Sequence, residues 1–201
     1  MDSSATVAPP APEGYAYAGP VSDFMPLPKA ASTTLTTEET TATAATAEGS
    51  ESTSCAAAST NASGPVCSVE SKTAKDGEEY LIKVVEIPQP AGRYPPQKRV
   101  AISHYRNKWY AFINICPHQG SALSRGSMMD IEDMGIVWGA GITCSLHNWT
   151  FDALSGQSDS TRFVIDTFDV KEVDGYIFVS QAPRNAQVAG QRRDFGGREM
   201  N

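Results

Sequence analysis

Two short turns constrain this chain more than anything else in it: Cys116-Pro117-His118-Gln119-Gly120 and, further on, Cys144-Ser145-Leu146-His147-Asn148-Trp149. Each sets one sulfur and one imidazole on a single tight turn, at Cys-x-His and Cys-x-x-His spacing, where both side chains of a pair can point the same way. A fold that brings the turns together offers two thiolates and two ring nitrogens to a shared metal centre. Such a set could hold a zinc ion tetrahedrally. It could equally hold a two-iron cluster, one iron on the thiolates and the other on the imidazoles, and ligand type alone does not separate the two.

The surrounding sequence predicts that these turns are loops of an all-β domain. Glu79 to Ile87 is rich in β-branched residues and reads as a strand; Pro88, Pro90, Gly92, Pro95 and Pro96 then make a connection that cannot be helical. Arg99 to Tyr105 and Lys108 to Ile115 are strand-like runs on either side of Arg106-Asn107, a hairpin signal, and the second run leads straight into Cys116. Between Gln119 and Thr143, Gly120, Gly126, Gly135, Gly139 and Gly141 interrupt any period. The one patterned patch there, Met128 to Met134, reads as a short helical turn or a surface loop. Trp149 to Asp152 suggests a short strand closed by Leu154-Ser155-Gly156, and Phe163 to Val170 with Tyr176 to Ser180 a last strand pair across Asp174-Gly175. No segment keeps a 3.6-residue period over a useful length, and no repeat of solenoid length is present.

Composition divides the 201 residues into three parts. Residues 1–65 are dominated by Ala, Ser, Thr, Pro and Glu, which bury too little apolar surface to offset the entropy of ordering, and read as a disordered tail. Residues 66–180 make one domain of ordinary size. Residues 181–201, with Pro183, Gly190, Gly196 and Gly197 among Arg184, Arg192, Arg193 and Arg198, read as a flexible, mildly basic tail.

Charge follows the same division. Asp2, Glu13, Asp23, Glu38, Glu39, Glu48 and Glu51 stand against Lys29 alone, so the first tail carries about −6 of the formal −7. The nearly neutral remainder has no Lys/Arg stripe interleaved with aromatic residues, which argues against nucleic acid as a partner. Without an apolar run of membrane-spanning length, a signal-peptide layout or any Arg before Arg93, no membrane association is expected and the expected location is cytoplasmic. In that reducing setting four cysteines are free thiols or metal ligands rather than a disulfide framework. Cys55 and Cys67, in polar sequence without a histidine nearby, read as incidental thiols.

Taken with their surroundings, the two turns resemble those of the Rieske 2Fe-2S family. The resemblance is carried by Cys116-Pro117-His118-Gln119-Gly120, by Leu123 and Gly126 after it, by Cys144-x-x-His147 with Trp149, and by Phe151-Asp152 followed by Gly156; it spans Val69 to Ser180. It implies an antiparallel β-sandwich with two cluster-binding loops and one 2Fe-2S cluster, with Cys116 and Cys144 on one iron and His118 and His147 on the other. Members of quinol-oxidising complexes carry a disulfide between the loops and hydroxyl donors near the cluster. This chain has Ser121 and Leu146 at the disulfide positions, and Trp149 and Phe151 at the hydroxyl positions. Hydroxyl donors stabilise the reduced cluster, so their loss points to a low-potential, ferredoxin-like or oxygenase-like member, at roughly −150 mV.

The implied function is that of a Rieske-type ferredoxin, a monomer passing single electrons from a reductase to an acceptor oxidoreductase or oxygenase, without being an enzyme by itself. An oxygenase needs a further iron on two histidines and a carboxylate. Of three histidines, only His104 remains once His118 and His147 are assigned, and it reads as an ordinary strand residue. Two other readings stay open: a regulatory module or subunit similar to the small Rieske-like component of nitrite reductases, and a structural zinc module. The spacer from Gln119 to Thr143 is longer than is usual in the family. Its acidic, methionine-bearing stretch reads either as a partner-docking element or as a tolerated surface insertion.

Overall fold

The central strands alternate side chains between two apolar faces, so the sheet they form must be covered on both. A computed structural model describes residues 8–25, 68–74, 78–89, 91, 96–193 and 195, and among them it places eleven strands in three sheets. The central sheet runs β2 (Ser68–Thr73), β3 (Glu79–Pro88), β4 (Gln97–Tyr105), β5 (Lys108–Ile113), β9 (Thr167–Phe168), each pair antiparallel. Tyr80, Ile82 and Val84 of β3, Ala101 and Tyr105 of β4, and Tyr110 and Phe112 of β5 enter one core. Val85 and Ile87, Val100 and Ile102, and Ala111 enter the other. This is the strand period of two.

The first core is closed by β6 (Ser127–Asp133), β7 (Ile136–Thr143) and β8 (Thr150–Asp152), which contribute Met128, Ala140, Ile142 and Phe151. The second is closed by β1 (Tyr15–Pro20), β11 (Tyr176–Ser180) and β10 (Val170–Val173), which contribute Ala18, Ile177 and Val179 together with Phe24. The expected all-β, antiparallel sandwich is observed.

Both expected tails need correction. Tyr15–Pro20 pairs with β11 from Tyr15↔Ser180 to Pro20↔Tyr176, and the 3-10 turn Val21–Phe24 buries Phe24 completely, edge-on to Trp109 at 5.6 Å. Composition averaged over 65 residues hides one short apolar run. That run also explains the buried Lys83, whose Nζ meets Asp23 Oδ2 at 2.6 Å and lies 4.8 Å above the Phe24 ring. At the other end, residues 181–193 are anchored through buried Asn185, which accepts from Thr167 N at 3.1 Å and donates to Ser155 O and Ile165 O at 2.7 and 2.8 Å. Arg192 adds a 2.8 Å contact to Asp166. Polar sequence conceals this strap because side-chain hydrogen bonds hold it rather than an apolar face. Residues 1–7 and 26–65 of the expected tail, Cys55 among them, lie outside the described residues, as does Cys67.

Two local expectations change as well. Met128 to Met134 is neither helical turn nor loop: β6 and β7 form a hairpin across Met134-Gly135, both at positive φ (50° and 80°), the twist two-residue hairpins favour. Met-Gly is an uncommon turn pair, and Gly139 and Gly141 blank the pattern of β7. At its tip Met134, Ile136, Val137 and Trp138 are all exposed, Trp138 at 71%. The last hairpin does turn at Asp174-Gly175, but its incoming strand is Val170–Val173; a two-residue turn dictates Val173↔Tyr176, and Thr167–Phe168 crosses to β5 instead.

Candidate metal centre

Three successive turns share one backbone design. In Cys116–Ser121 the N–H of Gly120 donates to Cys116 O and the N–H of Cys116 to Ser121 O, both at 2.8 Å. In Cys144–Trp149 the N–H of Asn148 donates to Cys144 O at 3.0 Å and that of Cys144 to Trp149 O at 2.9 Å. Asp152–Gln157 repeats the pattern through Gly156 N to Asp152 O and Asp152 N to Gln157 O, at 2.8 and 2.9 Å. The fifth residue of each, Gly120, Asn148 or Gly156, has φ of 76°, 55° or 75°, a conformation open to glycine and tolerated by asparagine. The third turn accounts for Phe151-Asp152…Gly156: Phe151 is wholly buried, and Asp152 Oδ1 accepts from Leu154 N and Ser155 N at 2.9 and 2.5 Å.

The first two turns leave the strands β5 and β7 and meet. Side chains pin the loop that follows the first turn: Ser124 N donates to Asn114 Oδ1 at 2.7 Å, and Lys72 Nζ donates to Ser124 O and Gly126 O at 2.5 and 2.6 Å. Gly126 runs so close to β7 that a Cβ there would land on the Thr143 carbonyl.

The structure brings the four residues singled out in the sequence together in two pairs, Cys116 with Cys144 and His118 with His147. Cys116 and Cys144 are completely buried and unbridged. The His118 and His147 rings lie 4.1 Å apart at 76°, and the Nδ1 atom of each is buried with no hydrogen-bond partner. Buried polar atoms are normally satisfied, so two orphaned ring nitrogens side by side indicate a missing partner that accepts lone pairs. Among the described residues no three His, Cys, Asp or Glu side chains surround a single ion position. The four donors instead fall into a sulfur pair and an imidazole pair, which fits two irons better than one zinc.

Electrostatics separate the thiols. Burial pushes the Cys116 thiol up to about 11; the neighbouring Cys144 adds to that push, and the backbone N–H of His118 opposes it. At Cys144 burial also works against ionisation, but the Ser121 hydroxyl and the backbone N–H groups of Leu146 and His147 outweigh it, so Cys144 ionises first. A bound cation would draw both into the thiolate form. Burial, then the His147 ring and Arg193, hold His118 toward its neutral, ligating form.

Sequence reasoning missed part of the surroundings. Ser121 Oγ lies 3.2 Å from Cys144 Sγ, and Trp149 stacks on His118 at 4.2 Å and 18°, with Phe163 stacked behind it at 5.6 Å and 26°. His104, as expected, is an ordinary strand residue against Trp109, with burial lowering its pKa.

The family model of the Rieske [2Fe-2S] domain matches residues 65–167, more than half of the chain. The chain belongs to the Rieske [2Fe-2S] domain family. A Rieske domain implies one 2Fe-2S cluster, and the donor set suits it. A chain of a solved complex of reduced oxygenase and oxidized ferredoxin in carbazole 1,9a-dioxygenase is 19% identical, with 50% of this chain and 82% of that chain covered at a TM-score of 0.37. No curated protein matches.

Proposed function

We propose that this Rieske protein is a ferredoxin-like carrier taking single electrons from a reductase to an acceptor oxidoreductase or oxygenase, with Cys116 and Cys144 on one iron and His118 and His147 on the other. The observation that carries the reading is the pair of unpartnered, buried Nδ1 atoms beside two buried, unbridged thiols. When bound, the cluster supplies one-electron redox chemistry. The chain's residues do the rest. Both cysteines are sealed from water, whereas His118 and His147 are half-buried, so the imidazole edge is the side from which an electron leaves. Exposed Leu146 lies beside that edge and offers a partner an apolar contact.

We place the protein on the low-potential side, at roughly −150 mV, because Trp149 and Phe151 stand where hydroxyl donors would raise the potential. Among the described residues no helix is long and apolar enough to cross a membrane. We place it in the cytoplasm as a monomer; a reducing location suits the two unbridged thiols.

EPR of the dithionite-reduced protein tests the assignment. A rhombic signal of low average g-value, lost in both His118→Ala and His147→Ala, is expected. A colourless, zinc-containing protein overturns it, and a clearly positive potential overturns the low-potential placement.

A further inference from the structure

A cavity of about 1050 Å³ opens on the side of the domain where the C-terminal strap folds back, apart from the four ligands. Its apolar wall includes Ile113, Val164, Ile165 and Pro183. Among the described residues its lining carries Lys98, Arg192 and Arg193 against the carboxylate of Asp166. The wall is built rather than incidental. Arg192 spends its guanidinium on Asp166 Oδ1, Val188 O and Asn185 O at 2.8, 3.1 and 2.8 Å, which neutralises the carboxylate. The backbone is pinned by Val164 N to Gln191 O and Gln191 N to Arg162 O, both at 2.9 Å. Lys98 is 92% buried, with its Nζ donating to Gln181 O at 2.7 Å and lying 4.2 Å over Phe168. Among the described residues positive charge therefore exceeds negative around an apolar hollow of small-molecule size.

The cavity also touches the metal centre through one side chain. Arg193 lines it and lies 5.1 Å over the Phe163 ring, and Phe163 is the outer member of the column Phe163, Trp149, His118. A charge drawn to Arg193 thus acts at the far end of a stack that rests on an iron-ligating ring.

We propose that this cavity binds an organic acid with an apolar body, its anionic group on Arg193, and that the bound acid is sensed at the cluster through Phe163 and Trp149. Binding itself is independent of the electron-transfer reading; sensing rests on it.

Calorimetric titration of the full-length, cluster-loaded protein with 2-naphthoate and with neutral 2-naphthamide tests the site. One naphthoate should bind per chain, about tenfold more tightly than the amide, as a charge-assisted contact worth about 1.4 kcal/mol requires. Arg193→Gln should erase that tenfold difference and leave amide binding unchanged. Naphthoate should shift the EPR g-values of the reduced protein, and the shift should vanish in Phe163→Leu although binding persists. No binding at millimolar acid, equal affinity for acid and amide, or loss of binding in Trp138→Ser, which would put the ligand on the hairpin tip, overturns the site. Binding without an EPR shift overturns the sensing. Binding to a protein with no cluster signal leaves the site standing and overturns the electron-transfer reading instead.

Discussion

The hydroxyl of Ser121 lies 3.2 Å from the sulfur of Cys144, joining the first Cys-His turn to the second. A donor on a ligating sulfur stabilises the reduced, more negative cluster. Ser121→Ala should therefore lower the reduction potential by about 20 to 60 mV, a net hydrogen bond of about 0.5 to 1.5 kcal/mol spread over one electron. A redox titration reads it, and an unchanged potential would show that the hydroxyl points elsewhere in the loaded protein.

Gly126 has an ordinary backbone conformation, φ −77°, so its requirement is one of space. A methyl group there would overlap the Thr143 carbonyl, just before Cys144. Backbone cannot swing aside as a side chain does. Gly126→Ala should force the loops apart and reduce the cluster content per chain, read by visible absorbance and iron analysis, while Gly135→Ala, strained at φ 80° but at the far hairpin turn and meeting no other atom, changes cluster content little.

Phe24 is fully buried against Trp109 and beneath Lys83. Phe24→Ala should cost about 3 to 5 kcal/mol in urea unfolding, the usual range for emptying an aromatic core position. Were residues 15–24 a loose tail, the variant would match the parent.

Asp130 accepts from Arg106 Nη2 at 2.6 Å and from Tyr105 OH at 3.0 Å, and these contacts, the Arg106 hydrogen bond foremost, hold its carboxyl below the ordinary 3.8. A depressed carboxylate stabilises the fold above its unfolded pKa, and that stability is lost as the pH falls through the folded value. Asp130→Asn should be less stable than the parent at pH 7 by under about 1 kcal/mol, because the Arg106 side chain is 43% exposed and water screens the pair. The difference should shrink below pH 3.8. A gap independent of pH would assign the effect to packing.

How much was legible in the sequence depended on how local each feature is. Cys116 with His118, Cys144 with His147, and the Arg106-Asn107 and Asp174-Gly175 turns each lie within a few residues, and all were readable. β1 was not, because Tyr15 finds its partner Ser180 at the far end of the chain. Nor was the strap, whose anchor Asn185 is polar and satisfied only by Ser155, Ile165 and Thr167.

By itself the sequence determined the chemistry on offer, two sulfurs and two imidazoles on short turns within an alternating, strand-forming chain, because spacing and period are set by covalent neighbours. Only the tertiary structure decided what those donors face: that the Nδ1 atoms are buried and unsatisfied, that a serine hydroxyl reaches the Cys144 sulfur, and that Trp149 and Phe163 carry the site toward Arg193. Those relations depend on burial and on contacts between distant segments, which arise only when the strands close on one another.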